Sequence, residues 1–162
     1  MTRIVALDPG TDRTGCVVLD GARVISSDVH PNEWMLGHLR SAVDVGEQLL
    51  AVEWLASYGM PVGKEVFVTA LWIGRFVEAW VSRGGRVRLV YRRDVKLHLC
   101  GQARAKDPNV RQALIDLYGP GKDVAIGRKA TPGPLYGVSS HAWSALAVGV
   151  TAAAGVGQEV GA

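Results

Sequence analysis

Residues 4–7, Ile-Val-Ala-Leu, carry no polar side chain and stop abruptly at Asp8-Pro9-Gly10. An unbroken apolar run that is partly β-branched reads as a strand buried in a core. Pro9 cannot donate to a central ladder, so the strand must end near Asp8. A chain that opens this way has to cover both faces of its first strand, which requires a layered domain. Gly15-Cys16-Val17-Val18-Leu19 follows as a second strand. Asp20-Gly21 is a hairpin signal, and Arg23-Val24-Ile25-Ser26-Ser27 is the returning third strand. The opening is therefore expected to be a three-stranded antiparallel meander.

The rest of the chain alternates helix and strand. Residues 29–47 read as one irregular helix, with Trp34, Leu36, Leu39, Ala42, Val43 and Val45 as its apolar positions. Leu49–Val52 form a fourth strand that ends at Glu53, and residues 57–63 form a loop. From Lys64 to Ser82, Val66, Thr69, Ala70, Ile73, Phe76, Val77 and Trp80 recur every three to four residues, which predicts a helix. Gly84-Gly85 ends it, and Val87-Leu89-Val90 mark a fifth strand. Short helices are expected at 93–99 and 107–118, and a last helix from Ser139 or Ser140, either of them a natural N-cap. Residues 119–137, rich in Gly, Pro and Lys without periodicity, read as a mobile loop. The expected architecture is a single α/β domain over 1–162, with a mixed five-stranded sheet flanked by helices.

Charge is unevenly placed. Residues 1–91 hold nine Lys/Arg against ten Asp/Glu, whereas residues 92–129 hold nine against four. Arg92, Arg93, Lys96, Arg104, Lys106, Arg111, Lys122, Arg128 and Lys129 are the candidates for contacts to nucleic-acid phosphates. An ordinary solvated face is the competing explanation. The two cysteines, Cys16 and Cys100, form no CxxC pair or zinc knuckle, and Cys16 lies in an apolar run that suits a buried thiol. No signal-peptide pattern opens the chain, and the apolar stretch 145–154 is too short to span a bilayer. The expectation is a soluble intracellular (cytoplasmic) protein.

Three residues at element ends could carry chemistry. Asp8 is either a turn former bonded to its own backbone or an acid facing a crevice beyond the sheet. Glu53, at the end of the fourth strand, is either exposed or paired with a cation, because burying a lone carboxylate is costly. His141, in the first turn of the last helix, is either a cap-region residue or a metal ligand or base, with Ser144 on the same helix face. Asp44 and Glu47 are weaker candidates. Two carboxylates and an imidazole suit phosphodiester cleavage with Mg2+ or Mn2+, in which two ions about 4 Å apart stabilise the attacking and leaving oxygens. The three residues are 45 and 88 positions apart, so only the fold can bring them together.

The opening Ile4–Gly10 with Thr14-Gly15, and Ser140–Val148 near the end, resemble the first strand and last catalytic helix of the RuvC family of Holliday junction resolvases. Residues 53–63 (EWLASYGMPVG), 72–76, 91–96 and 111–116 are closer still to the RuvC-like proteins of bacteriophages. The resemblance covers nearly the whole chain. It implies an RNase H-like fold and a metal-dependent endodeoxyribonuclease that acts on branched double-stranded DNA such as four-way junctions. It also implies a homodimer with two active sites, in a bacterial host cell if the chain is phage-encoded. Asp8, Glu53 and His141 then match catalytic metal ligands. Ser144 falls where four-ligand members keep a final aspartate, which this chain lacks. Asp44, Asp94 or Asp107 could replace it. Part of the aromatic set Phe67, Trp72, Phe76 and Trp80 could serve a subunit interface, although an all-core role competes. A less selective nuclease for DNA or RNA–DNA hybrids, and a junction-binding protein that no longer cuts, are the alternative functions.

Overall fold

A computed structural model describes residues 2–160. Strands β1 (Arg3–Pro9), β2 (Arg13–Asp20) and β3 (Arg23–Pro31) form the expected antiparallel meander. Strands β4 (Gln48–Trp54) and β5 (Arg86–Tyr91) then add in parallel, β4 beside β1 and β5 beside β4. The order is β3-β2-β1-β4-β5-β8, six strands rather than five. The additional strand, β8 (Gln158–Val160), pairs antiparallel with β5. Its residues have no apolar alternation, so pairing alone makes it a strand. It covers what would otherwise be the open edge of β5.

Side-chain alternation divides the core in two. On one face Ile4, Ala6, Val17, Leu19, Leu49 and Ala51 pack under helix α6 (Ala142–Ala153). On the other, Val5, Leu7, Leu50, Val52 and Val87 pack under α1 (Asn32–Ser41) and α2 (Lys64–Val81). Central β1 is buried on both sides, which is why its sequence is continuously apolar. Helix α6 settles low on the sheet through small residues. A Cβ on Gly149 would lie 2.8 Å from Leu19 Cδ1 and 3.0 Å from Ala6 Cβ.

The segment 29–47 departs from the single expected helix. Strand β3 runs on to Pro31, α1 buries Asn32, Met35, Leu36 and Leu39, and a 3-10 turn at Val45–Glu47 follows. Asp44, in a left-handed conformation with φ of 53°, breaks the helical path. Helices α3 (Arg92–Cys100) and α4 (Asp107–Tyr118) lie where the sequence puts them. Residues 119–137 are not structureless. They carry the short helix α5 (Lys122–Ala125) and a hairpin of β6 (Gly127–Arg128) and β7 (Thr131–Pro132), and they send Ala125 and Leu135 into the core. Among the described residues, no helix is long and apolar enough to cross a membrane. Cys16 is buried, Cys100 is half-buried, and both are free thiols.

Candidate active site

The register of the sheet brings Asp8 to Glu53. Strands β1 and β4 run parallel with Ile4 beside Leu49, Ala6 beside Ala51 and Leu7 beside Val52. One step further sets Asp8 beside Glu53, and the period of two turns both toward the α6 face. Strand β5 continues the register with Val90 beside Glu53 and Tyr91 beside Trp54, so Arg92 opens α3 at the same end of the sheet. The carboxyl ends of adjacent parallel strands are where open α/β sheets form their crevices.

Asp8 is buried, and its carboxyl group is pushed up from 3.8 to about 9. Loss of hydration is the main cause, followed by a hydrogen bond to Glu53 and the charge of that second carboxylate; Arg92 opposes the shift. His141 Nδ1 lies 3.1 Å from Asp8 Oδ2 within hydrogen-bonding geometry. The Asp8 carboxyl thus meets the His141 side chain rather than its own backbone.

His141 reaches Asp8 because β2 lets the start of α6 approach closely. Gly15 pairs with Asp8 across the β1–β2 ladder. A Cβ on Gly15 would collide with the His141 carbonyl and come within 2.9 Å of the Ala142 nitrogen. His141 is the N-cap residue rather than part of the first helical turn, and neither Ser139 nor Ser140 provides a side-chain cap. The chain enters the cap through Ser140 with φ of 49°. The turn after Asp8 is held by Asn32, whose Nδ2 donates to the Gly10 carbonyl at 2.9 Å. Thr14 Oγ1 in turn donates to Asn32 Oδ1 at 2.6 Å. The sequence offered no signal for this brace, since a buried Asn on a helix reads as a surface residue.

Glu53 is half-buried and accepts a hydrogen bond from Arg92 Nη1 at 3.0 Å. Arg92 Nη2 bonds Asp107 at the start of α4. Arg92, expected on the phosphate-binding face, thus turns inward and bridges two carboxylates. A cavity of about 330 Å³ opens here, lined by Glu53, Arg92, Lys96, Asp107, Arg111 and Ser144 among others. Ser144 therefore faces the same space as Glu53, while Arg111 stacks over Trp143, 4.7 Å from its ring centre. Arg93 and Lys96 line an adjoining groove with Tyr58, an exposed residue that the sequence reading passed over. Arg104, Lys106, Lys122, Arg128 and Lys129 are exposed. Asp44 and Glu47 stand at the opposite end of β4 from Glu53, near Arg3 and Asp20, and so take no part. A second cavity, of about 410 Å³, lies at that same far end between Ile4, Leu49, Arg86 and Tyr118.

Among the described residues, no three His, Cys, Asp or Glu side chains are grouped closely enough to hold a metal ion as they stand. Arg92 already bonds Glu53. The donor set nevertheless fits a hard divalent cation: carboxylate oxygens and one imidazole, with a buried charge conflict that such an ion would relieve.

No family model matches the chain, and no curated protein matches it in sequence. Its structure, by contrast, is similar to that of RuvC from Thermus thermophilus, with a TM-score of 0.66 at 20% identity over 98% of this chain and all of that one. It is similar also to T. thermophilus RuvC in complex with a Holliday junction substrate, with a TM-score of 0.70 at 20% identity over 99% of this chain and all of that one. At this level of identity the likeness speaks for the fold: the chain has the RNase H-like fold in the arrangement of RuvC over almost its entire length.

Proposed function

We propose that this protein is a divalent-metal-dependent endodeoxyribonuclease that cuts branched DNA, four-way junctions above all. The observation that carries the proposal is the convergence of Asp8, Glu53 and His141 at one end of the sheet of a RuvC-like fold. A neighbour in that fold has been solved on a Holliday junction. Asp8, Glu53 and His141 are the residues that would hold Mg2+ or Mn2+. When bound, the ions supply an activated water and charge stabilisation for the phosphodiester.

The chain's own residues do the rest. Burial of Asp8 and its bond to His141 fix both side chains before substrate arrives. As the alternative to metal ligation, the water-accessible His141 imidazole would serve as the base for the attacking water. Lys96, Arg93 and Arg111 offer cations along the rim for backbone phosphates, with Arg104, Lys106, Lys122, Arg128 and Lys129 as further exposed contacts. Two sites cutting opposed strands need two chains, and the outward stripe of α2 suits a second copy. Phe67 and Leu71 are each 66% exposed there, whereas Phe76 and Trp80 are fully buried.

The test is cleavage of a labelled synthetic four-way junction beside a matched linear duplex in Mg2+, Mn2+ or chelator, for wild type and Asp8→Asn. Symmetric paired cuts in the junction alone, absent in the variant and in chelator, are expected. Equal cutting of both substrates would replace the resolvase with a general nuclease. Tight junction binding without cutting in either metal would leave a binding protein.

A further inference from the structure

We infer that Asp107 is the third acidic ligand of this site beside Asp8, Glu53 and His141, replacing the carboxylate that position 144 lacks, and that Arg92 holds it in reserve until a metal ion displaces the guanidinium. This rests on the metal-dependent nuclease reading above and specifies its ligand set.

Ser144 and Asp107 line the same cavity as Glu53. Ser144 offers only a neutral hydroxyl, which is a weak ligand for a hard cation. Asp107 offers a full carboxylate from α4, the helix that packs beside α3 and α6.

A cation already sits among these carboxylates. The Arg92 guanidinium bonds Glu53 with one nitrogen and Asp107 with the other. An acid in the first turn of a helix has an ordinary role in complementing the helix dipole. That role needs no second partner, whereas Asp107 reaches across to an arginine that is itself tied to a candidate metal ligand. The Asp107 side chain is 73% exposed, so it is free to change partner with little repacking. Arg92 can turn outward to the adjoining groove, where it also lines the wall with Arg93 and Lys96 and would meet a phosphate. Metal entry and phosphate capture would then be coupled through one side chain.

The experiment is calorimetric titration of Mn2+ into the full chain without DNA, for wild type, Asp8→Asn, Asp107→Asn, Asp107→Glu, Arg92→Ala and the double variant Asp107→Asn/Ser144→Asp, with circular dichroism to confirm folding. Expected is a loss of about tenfold or more in Mn2+ affinity for Asp107→Asn, with near-wild-type affinity in Asp107→Glu. An aspartate introduced at 144 should recover binding in the double variant. Arg92→Ala should bind Mn2+ more tightly than wild type, because the competing cation is gone. An Asp107→Asn affinity within about twofold of wild type, while Asp8→Asn loses binding, overturns the inference and leaves the nuclease reading standing. Absence of Mn2+ binding in wild type overturns both.

Discussion

Asp8 is a carboxyl group held where its charged form is disfavoured, and this has a measurable sign. Its pKa is near 9 in the folded chain against 3.8 for the free group. Between those values the native state keeps a proton that the unfolded state has released. The proton count therefore lowers stability as pH rises from about 4 to about 9. Metal-free protein should lose thermal stability across that window, and Asp8→Asn should remove most of the loss. Denaturation in chelator at pH 5 and pH 8.5, on both proteins, checks this; an equal pH response in the two would remove Asp8 as the source. Added Mn2+ should flatten the slope for wild type, since the ion takes the place of the proton. Asp8 and Glu53 were legible in the sequence because each ends an apolar run, where a charge needs a reason. In the sequence Arg92 reads only as a phosphate contact and Asp107 only as one of three acids that could fill the gap at 144; their pairing was not legible, because it depends on how α3 and α4 dock rather than on any local pattern.

Helix α6 is positioned by what is missing from the strand beneath it. Gly15 leaves room for the His141 carbonyl, and Gly149 leaves room for Leu19 and Ala6. Gly15→Ala should therefore cost about 1–3 kcal/mol of stability through overpacking against backbone that cannot move aside. It should also cut nuclease activity beyond the stability loss, since it pushes His141 away from Asp8. Chemical denaturation and cleavage assays on the same variant separate the two effects; full activity would show that the His141–Asp8 contact does not matter. Ser140→Gly should act in the opposite sense on stability, by about 1 kcal/mol, because a non-glycine residue is held at positive φ there. Its midpoint in urea is the measurement, and no gain would mean that the Ser140 side chain compensates for its backbone. The serines in this segment read as caps from their type alone, but the tertiary approach of α6 to β2 decided which residue became the cap.

For the molecule as a whole, the proposed pairing of two chains should depend on the exposed stripe of α2. A Phe67→Glu/Leu71→Glu variant is expected to remain folded and to sediment as a monomer, and wild type is expected to sediment as a dimer. If wild type is monomeric at micromolar concentration, paired cutting requires assembly on the junction itself. The helix expected from Lys64 to Ser82 on its period runs from Lys64 to Val81, yet only the folded structure sorted its aromatic residues. Phe76 and Trp80 are fully buried, Trp72 is half-buried, and Phe67 faces outward. Leu71, which lies outside the three-to-four period of the apolar positions, joins Phe67 on the outside.

Local chemistry by itself determined the meander, the two strands that follow it, the long helix and the acids at two strand ends. Each of these is written in a short window of apolar periodicity, a turn pair or a strand terminus. Tertiary structure alone decided the sixth strand, whose Gln158-Glu159-Val160 has no strand pattern and forms by pairing with β5. It also split the 29–47 segment, ordered 119–137 around buried Leu135, and turned Arg92 from the surface toward Glu53. The physical reason is common to all four. Each depends on contacts between residues far apart in the chain, which no local window of sequence contains.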